Sequence, residues 1–144
     1  MTTRTIAIGS DHAGFTLKSK VKDWLAEAGH EVKDLGTDGS DSVDYPDFGR
    51  AVGEAVGKGE AELGIVVCGS GIGISMAANR VPGARAANCT SGLMARLARQ
   101  HNDANILSLG ERLIGEAVAR DCVDEFLKTE FEGGRHQRRV DKLG

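Results

Sequence analysis

The chain reads as an α/β protein: a five-stranded parallel sheet with helices on both faces. Three observations predict it. Short apolar runs alternate with helical apolar stripes five times along the sequence. Glycine-rich or polar turns punctuate that alternation. No internal repeat, linker or low-complexity stretch interrupts it, and 144 residues suit one domain, residues 1–144, with a real core.

The elements follow in order. Thr5-Ile-Ala-Ile8 is the first strand, ending in Gly9-Ser-Asp-His-Ala-Gly14. Leu17, Val21, Trp24, Leu25 and Ala28 share one face of the first helix, and Gly29 is placed to end it. His30 then falls at the surface, and Glu31 to Leu35 forms the second strand. Gly36 to Asp44 is polar and turn-rich, hence a loop. Pro46 opens the second helix, because its missing N–H costs nothing in a first turn. Phe48, Ala51, Val52, Ala55 and Val56 give that helix its stripe. Leu63 to Val67 is the third strand, and the next helix begins inside the glycine loop that follows Cys68. Ala84 to Asn88 is the fourth strand. Leu93, Met94, Leu97 and Ala98 mark a helix whose stripe His101 extends. Ile106 to Leu109 is the fifth strand. The last helix runs from about Gly115 to Lys128 with Ala119, Cys122, Val123, Phe126 and Leu127 inward, and a basic tail follows, Gly133 to Arg139.

Composition narrows the function. A net charge of -3 supplies no global field to draw in nucleic acid or a membrane surface. No apolar stretch approaches the roughly 20 residues that span a bilayer. The start, Met1-Thr-Thr-Arg-Thr-Ile-Ala-Ile8, lacks the apolar core of a signal peptide, so the expected compartment is the cytoplasm. The cysteines, Cys68, Cys89 and Cys122, are odd in number and far apart, which argues against disulfides and a structural zinc. The 20 glycines are about twice the usual ~7% share and cluster where turns and close backbone approaches fall.

In a parallel sheet, ligands bind beyond the carboxyl ends of the strands. Asp11 and His12 follow strand one, Cys68 and its glycine loop follow strand three, and Arg112 follows strand five, so these groups share one edge. The loop Cys68-Gly-Ser-Gly-Ile-Gly-Ile-Ser75 is a poor dinucleotide fingerprint, since Ile74 stands where glycine is needed. It also lacks the Gly-Lys-Ser/Thr of a phosphate-binding NTPase loop. A small anion site at a helix start and a plain tight turn are the two readings left. Cys68 likewise has two readings, an inert buried thiol or a thiolate favoured by the helix dipole. Cys122 lies on a helix stripe and reads as core, while Cys89 ends a strand and stays ambiguous.

His12, His30, His101 and His136 show no zinc-binding spacing, so no metal and no cofactor are expected. His101-Asn102-Asp103 precedes strand five and so lies at the amino end of the sheet, opposite Cys68. One subunit does not easily join both, so a site using both is shared between two subunits. Arg135, Arg138 and Arg139 have no aromatic stacking platform beside them, which disfavours nucleic acid. Arginine suits bidentate contact with phosphate.

Five motifs in series resemble one family across nearly the whole chain. They are Gly9-Ser-Asp-His-Ala-Gly14, Asp44-Tyr-Pro46, Cys68 to Ser75, Arg99-Gln-His-Asn-Asp103 and Glu132 to Val140. Together they are similar to the type B ribose-5-phosphate isomerases, whose relatives include allose- and galactose-6-phosphate isomerases. The resemblance implies a Rossmann-like three-layer sandwich assembled as a homodimer or tetramer. It implies a metal-free isomerase of phosphorylated sugars in pentose phosphate metabolism. It makes Cys68 the base between C1 and C2. Some members carry serine there and a glutamate one turn later; here the cysteine is present and Gly73-Ile-Ser-Met76 holds no acid. His101 is implied in ring opening and Ser70 in proton movement between O1 and O2. Asp11, His12 and Asn102 contact the substrate, Gly69, Gly71, Ile72 and Gly73 cradle the enediolate, and Tyr45 lines the pocket. Arg112, Arg135 and Arg139 take the phosphate. The expected reaction is interconversion of ribose 5-phosphate and ribulose 5-phosphate. Another aldose phosphate and a non-catalytic sugar-phosphate-binding module are the alternatives.

Overall fold

Six consecutive buried residues, Leu63–Cys68, form the central strand β3 of the computed structural model, which describes residues 2–144. A strand buried on both faces needs neighbours on both edges. β1 (Thr5–Ser10) lies on one side and β5 (Ile106–Gly110) on the other, all parallel, with Ile8, Ile65 and Leu107 in register. β2 (Glu31–Asp34) and β4 (Ala86–Asn88) complete the order β2-β1-β3-β5-β4.

Side chains alternate across a strand, so each strand feeds two cores. Ile6, Ile8, Ile65, Val67, Leu107 and Leu109 face α1 (Phe15–Glu27), α4 (Gly92–Asn102) and α5 (Glu116–Lys128). Ala7, Val66, Cys68 and Ile106 face α2 (Tyr45–Gly57) and α3 (Ile72–Ala78). The expected three layers are present. A fully buried Ile or Leu contributes about 1.5–3 kcal/mol. α5 buries Ala119, Cys122, Val123, Phe126 and Leu127, the five positions its sequence pattern marked. Among the described residues no helix is long and apolar enough to cross a membrane.

Four expectations need correction. The α4 stripe faces the core only at Ala98: Leu93, Met94 and Leu97 are exposed, while Gly92, Ala95 and Arg99 pack inward beside Ala98. Small residues let α4 approach α5 closely, and the larger apolar face is left outward. The basic tail is not irregular, because Arg135–Asp141 form a further helix, α6, that buries His136 and Val140. His30 is buried rather than at the surface, and its Nδ1 accepts the Arg4 backbone N–H at 3.1 Å. β4 begins at Ala86, because the Arg85 backbone still serves the turn around Asn105.

Lys18 is also buried, with 1% of its side chain exposed. Its ammonium donates to Asp34 Oδ1 at 2.8 Å and to the Thr37 carbonyl at 2.5 Å. Burial pushes the Asp34 carboxyl upward, but donors from Lys18, Gly36 and Lys22 outweigh it and hold the group below its usual range. This network pins the start of the long loop between β2 and α2.

Candidate active site

The carboxyl ends of β1, β3 and β5 open into a cavity of about 570 Å³. Asp11, His12, Tyr45, Cys68, Gly69, Ser70, Ile72, Gly73 and Arg112 line it, with Met76 and Leu113. The strand order explains the gathering. β1 and β5 flank β3, so the loops after all three meet at one point.

Cys68 ends β3 and is buried, and the Gly71 N–H donates to its Sγ at 3.1 Å. That contact requires the chain to turn back within three residues. Gly71 does so at φ 77°, in the left-handed region that favours glycine. The turn is braced from below: Ser108 Oγ donates to the Gly71 carbonyl at 2.7 Å, and Asn88 Nδ2 donates to the Ser70 carbonyl at 3.3 Å. Gly110 packs so tightly under the Ser70 backbone that an added Cβ there would lie 2.5 Å from it. Ser70 Oγ accepts the Ile72 N–H at 3.1 Å, while the Gly69 and Ser70 amides find no acceptor among the described residues. These amides are the donors available to an oxyanion beside the thiol.

The walls are held with equal care. Asp11 is buried, and its carboxylate accepts the Gly14 N–H at 3.1 Å, capping a short turn over His12–Gly14. His12 Nδ1 accepts the Val43 N–H at 3.1 Å, so a neutral His12 carries its proton on Nε2 as a donor. The Glu111 and Arg112 amides donate to the Cys68 and Gly69 carbonyls at 3.0 and 2.9 Å. Glu111 also accepts the Leu17 N–H at 2.6 Å, tying this arm to the start of α1. The Arg112 side chain consequently lies beside Gly69, at 3.3 Å from the position a Cβ would take. Gly73 lies against the Tyr45 ring with no room for a side chain. A thiol, amide donors and a cation therefore converge, which suits proton transfer beside a carbonyl on an anionic substrate.

The remaining expected residues lie elsewhere. His101 and Asn102 end α4, and Arg135 and Arg139 are exposed on α6. None of the four lines this cavity; Asn102 lines a second one, of about 440 Å³, with Arg85 and Leu143. His101 stacks on His136, ring centroids 4.5 Å apart and planes 14° apart, with Glu132 beside both. Sequence reasoning missed Glu132 and His136 as partners of His101. The available signal was the four-residue separation of Glu132 and His136. Cys89, left ambiguous by sequence, is buried with its thiol pushed up to about 12 by burial and then by Cys122. Burial likewise pushes Cys122 to about 11. Cys68 is the cysteine at the cavity.

The profile of the Ribose/Galactose Isomerase family matches residues 6–143. Ribose-5-phosphate isomerase B of Escherichia coli (strain K12) is 46% identical over 140 residues, covering 97% of this chain and 94% of that protein. The solved structure of Clostridium thermocellum ribose-5-phosphate isomerase B is 60% identical with a TM-score of 0.96, over 97% of this chain and 95% of that one. The Mycoplasma genitalium ribose-5-phosphate isomerase B, solved with bound ribulose-5-phosphate, is 46% identical with a TM-score of 0.93. That match covers 96% of this chain and 93% of the other.

Proposed function

The chain belongs to the Ribose/Galactose Isomerase family, and from that premise we propose that it interconverts ribose 5-phosphate and ribulose 5-phosphate. The observation that carries the reading is the Cys68 thiol held by the Gly71 amide at the base of a cavity whose rim carries His12 and Arg112.

The chemistry runs in four steps. His101 of a partner subunit gives a proton to the ring oxygen while the C1 hydroxyl loses one, which opens the furanose to the aldehyde. The Cys68 thiolate then takes the proton from C2. Negative charge passes to O1, where the free amides of Gly69 and Ser70 stabilise it; losing one such donor typically costs about 3–4 kcal/mol. Ser70 assists the proton shift from O2 to O1, and the Cys68 thiol returns its proton to C1, leaving the C2 ketone. Asp11, Tyr45 and the partner's Asn102 hold the sugar. His12 and Arg112, with Arg135 and Arg139 of the partner, anchor the phosphate and fix the reacting carbons over the thiol.

This division requires a homodimer that shares its sites, and the exposed apolar surface supports one. Two groups of exposed apolar side chains stand out. Ile72, Met76 and Leu113 surround the cavity, and Leu93, Met94 and Leu97 lie on α4, the helix that ends with His101. A two-fold interface that sets one group against the other covers both and carries His101 to the neighbouring cavity.

The test is complementation. Cys68→Ala is expected to lose ribose 5-phosphate isomerisation while keeping its fold. Mixing it with His101→Ala subunits restores one intact site in hybrid dimers. Full activity in Cys68→Ala would remove the base assignment, and no recovery despite measured subunit exchange would remove the shared site. In a panel of four-, five- and six-carbon aldose phosphates, ribose 5-phosphate gives the highest kcat/KM; a different winner reassigns the substrate.

A further inference from the structure

The cluster around His101 has a composition that proton transfer alone does not require. Two imidazoles and one carboxylate offer ligand atoms that all lie within 4.8 Å of one another. The Glu132 Oε1 is 3.5 Å from His136 Nε2 and 3.9 Å from His101 Nε2. Among the described residues no other group of three histidine, cysteine or carboxylate side chains comes together this way. We infer that His101, Glu132 and His136 form a binding site for a divalent cation of the zinc class, outside the cavity lined by the same subunit's Cys68.

Ligand chemistry and position both favour it. Two neutral imidazoles with one carboxylate form a three-ligand set that borderline metals of this class accept, leaving a fourth position open to water. The site is also partly prebuilt. His136 is buried on α6, and its N–H donates to the Gly133 carbonyl at 3.0 Å. The Glu132 N–H donates to the Gln100 carbonyl at 3.1 Å, so the segment before α6 is pinned to the end of α4 one residue from His101. Neither histidine ring makes a hydrogen bond shorter than the contacts to Glu132 among the described residues.

The geometry also says what must move. A tetrahedral zinc places its ligand atoms roughly 3.3 Å apart. The Glu132–His136 edge, at 3.5 Å, is already close to that value. The two rings lie nearly parallel, so their nitrogen lone pairs run side by side rather than meeting. His101 must therefore rotate its ring toward Glu132. Its side chain is 39% exposed and is free to do so, whereas buried His136 acts as the fixed anchor.

A consequence for catalysis rests on the isomerase reading above. A cation on His101 ties up the imidazole that would move the ring-oxygen proton, so the metal is an inhibitor rather than a cofactor. Cation binding itself does not depend on that reading.

Titration of the purified protein with cobalt(II) chloride, followed by the visible absorption of four-coordinate cobalt, tests the site directly. One equivalent per chain is expected, displaced by zinc chloride. Glu132→Gln and His136→Asn, each checked for native circular dichroism, are expected to bind at least tenfold more weakly. Absence of the band in the parent protein, or an unchanged band and stoichiometry in the folded variants, overturns the proposal. In parallel, zinc is expected to inhibit ribose 5-phosphate turnover with the same midpoint as binding. If zinc binds with that midpoint yet turnover persists, the site stands and the role of His101 in ring opening falls. Equal zinc inhibition of the parent and both variants locates the inhibiting cation elsewhere, and the inhibitory part of the proposal falls.

Discussion

Replacing Gly71 with alanine tests the cradle at its tightest point. Its backbone sits at φ 77°, where an L side chain costs about 1–2 kcal/mol. A Cβ there also meets the Asn88 side-chain oxygen and lies 2.9 Å from the Leu109 carbonyl carbon. Neither neighbour yields easily, since Asn88 is held by its bond to Ser70 and Leu109 belongs to β5. Overpacking of this kind typically adds about 1–3 kcal/mol. The expected loss is therefore about 2–5 kcal/mol of the roughly 5–15 kcal/mol that stabilises a domain. At roughly 4 °C per kcal/mol, Tm falls by about 8–20 °C. The same shift moves the amide that holds Cys68 Sγ, so kcat at 20 °C drops by about 10²–10³ in the population that stays folded. Thermal unfolding and steady-state kinetics measure the two effects separately. Gly39→Ala is the control, because nothing lies within 4 Å of its added Cβ. A Gly71→Ala protein with Tm within about 3 °C and kcat within about threefold of the parent would refute the argument that this backbone conformation builds the site.

Two further outcomes are expected. Alkylation of the native protein at neutral pH by iodoacetamide gives a single adduct, on Cys68, and bound ribulose 5-phosphate slows it; peptide mass spectrometry showing early modification of Cys89 or Cys122 contradicts their burial and raised thiol values. Burial, then the Arg4 charge, lowers His30 below its ordinary 6.5. Its neutral form is thus favoured by folding. That stability is fully present above about pH 6.5 and is lost as pH falls through the lowered folded value. Urea midpoints measured from about pH 7.5 down to pH 5 decline less steeply in His30→Gln than in the parent, and identical slopes would dismiss the effect.

The sequence displayed most of the fold because the signal there is periodicity and punctuation. The β3 run and the α5 stripe are unambiguous, and both are present as read. The cavity was legible for the same reason: knowing that the strands run parallel places Asp11, Cys68 and Arg112 on one edge without any distance. The errors have a common physical origin. A stripe of apolar residues says that a helix has an apolar face, not what covers it, and Leu93, Met94 and Leu97 face outward where a second chain can lie. Lys18 and His30 were unreadable as buried groups because their partners, Asp34 and the Arg4 amide, are supplied by the fold. α6 was hidden because its inward positions are a histidine and a valine among charged residues, too little apolar surface to mark a helix. The His101 cluster joins His101 to Glu132 and His136, 31 and 35 residues further along the chain, so its histidine pair shows no short metal-binding spacing.

The thiol cradle is built almost wholly of main chain, and this divides the protein's freedom to change. Exchanging the side chains of Ser70 or Ile72 leaves every amide donor in place, whereas adding one carbon at Gly71 or Gly110 displaces them all. Novelty in substrate choice must therefore come from the rim. There Tyr45, Met76 and Leu113 project from three separate segments and are exposed. Altering them leaves the floor untouched. The fold thus keeps the cradle on a fixed backbone and leaves room for change in the side chains of the rim.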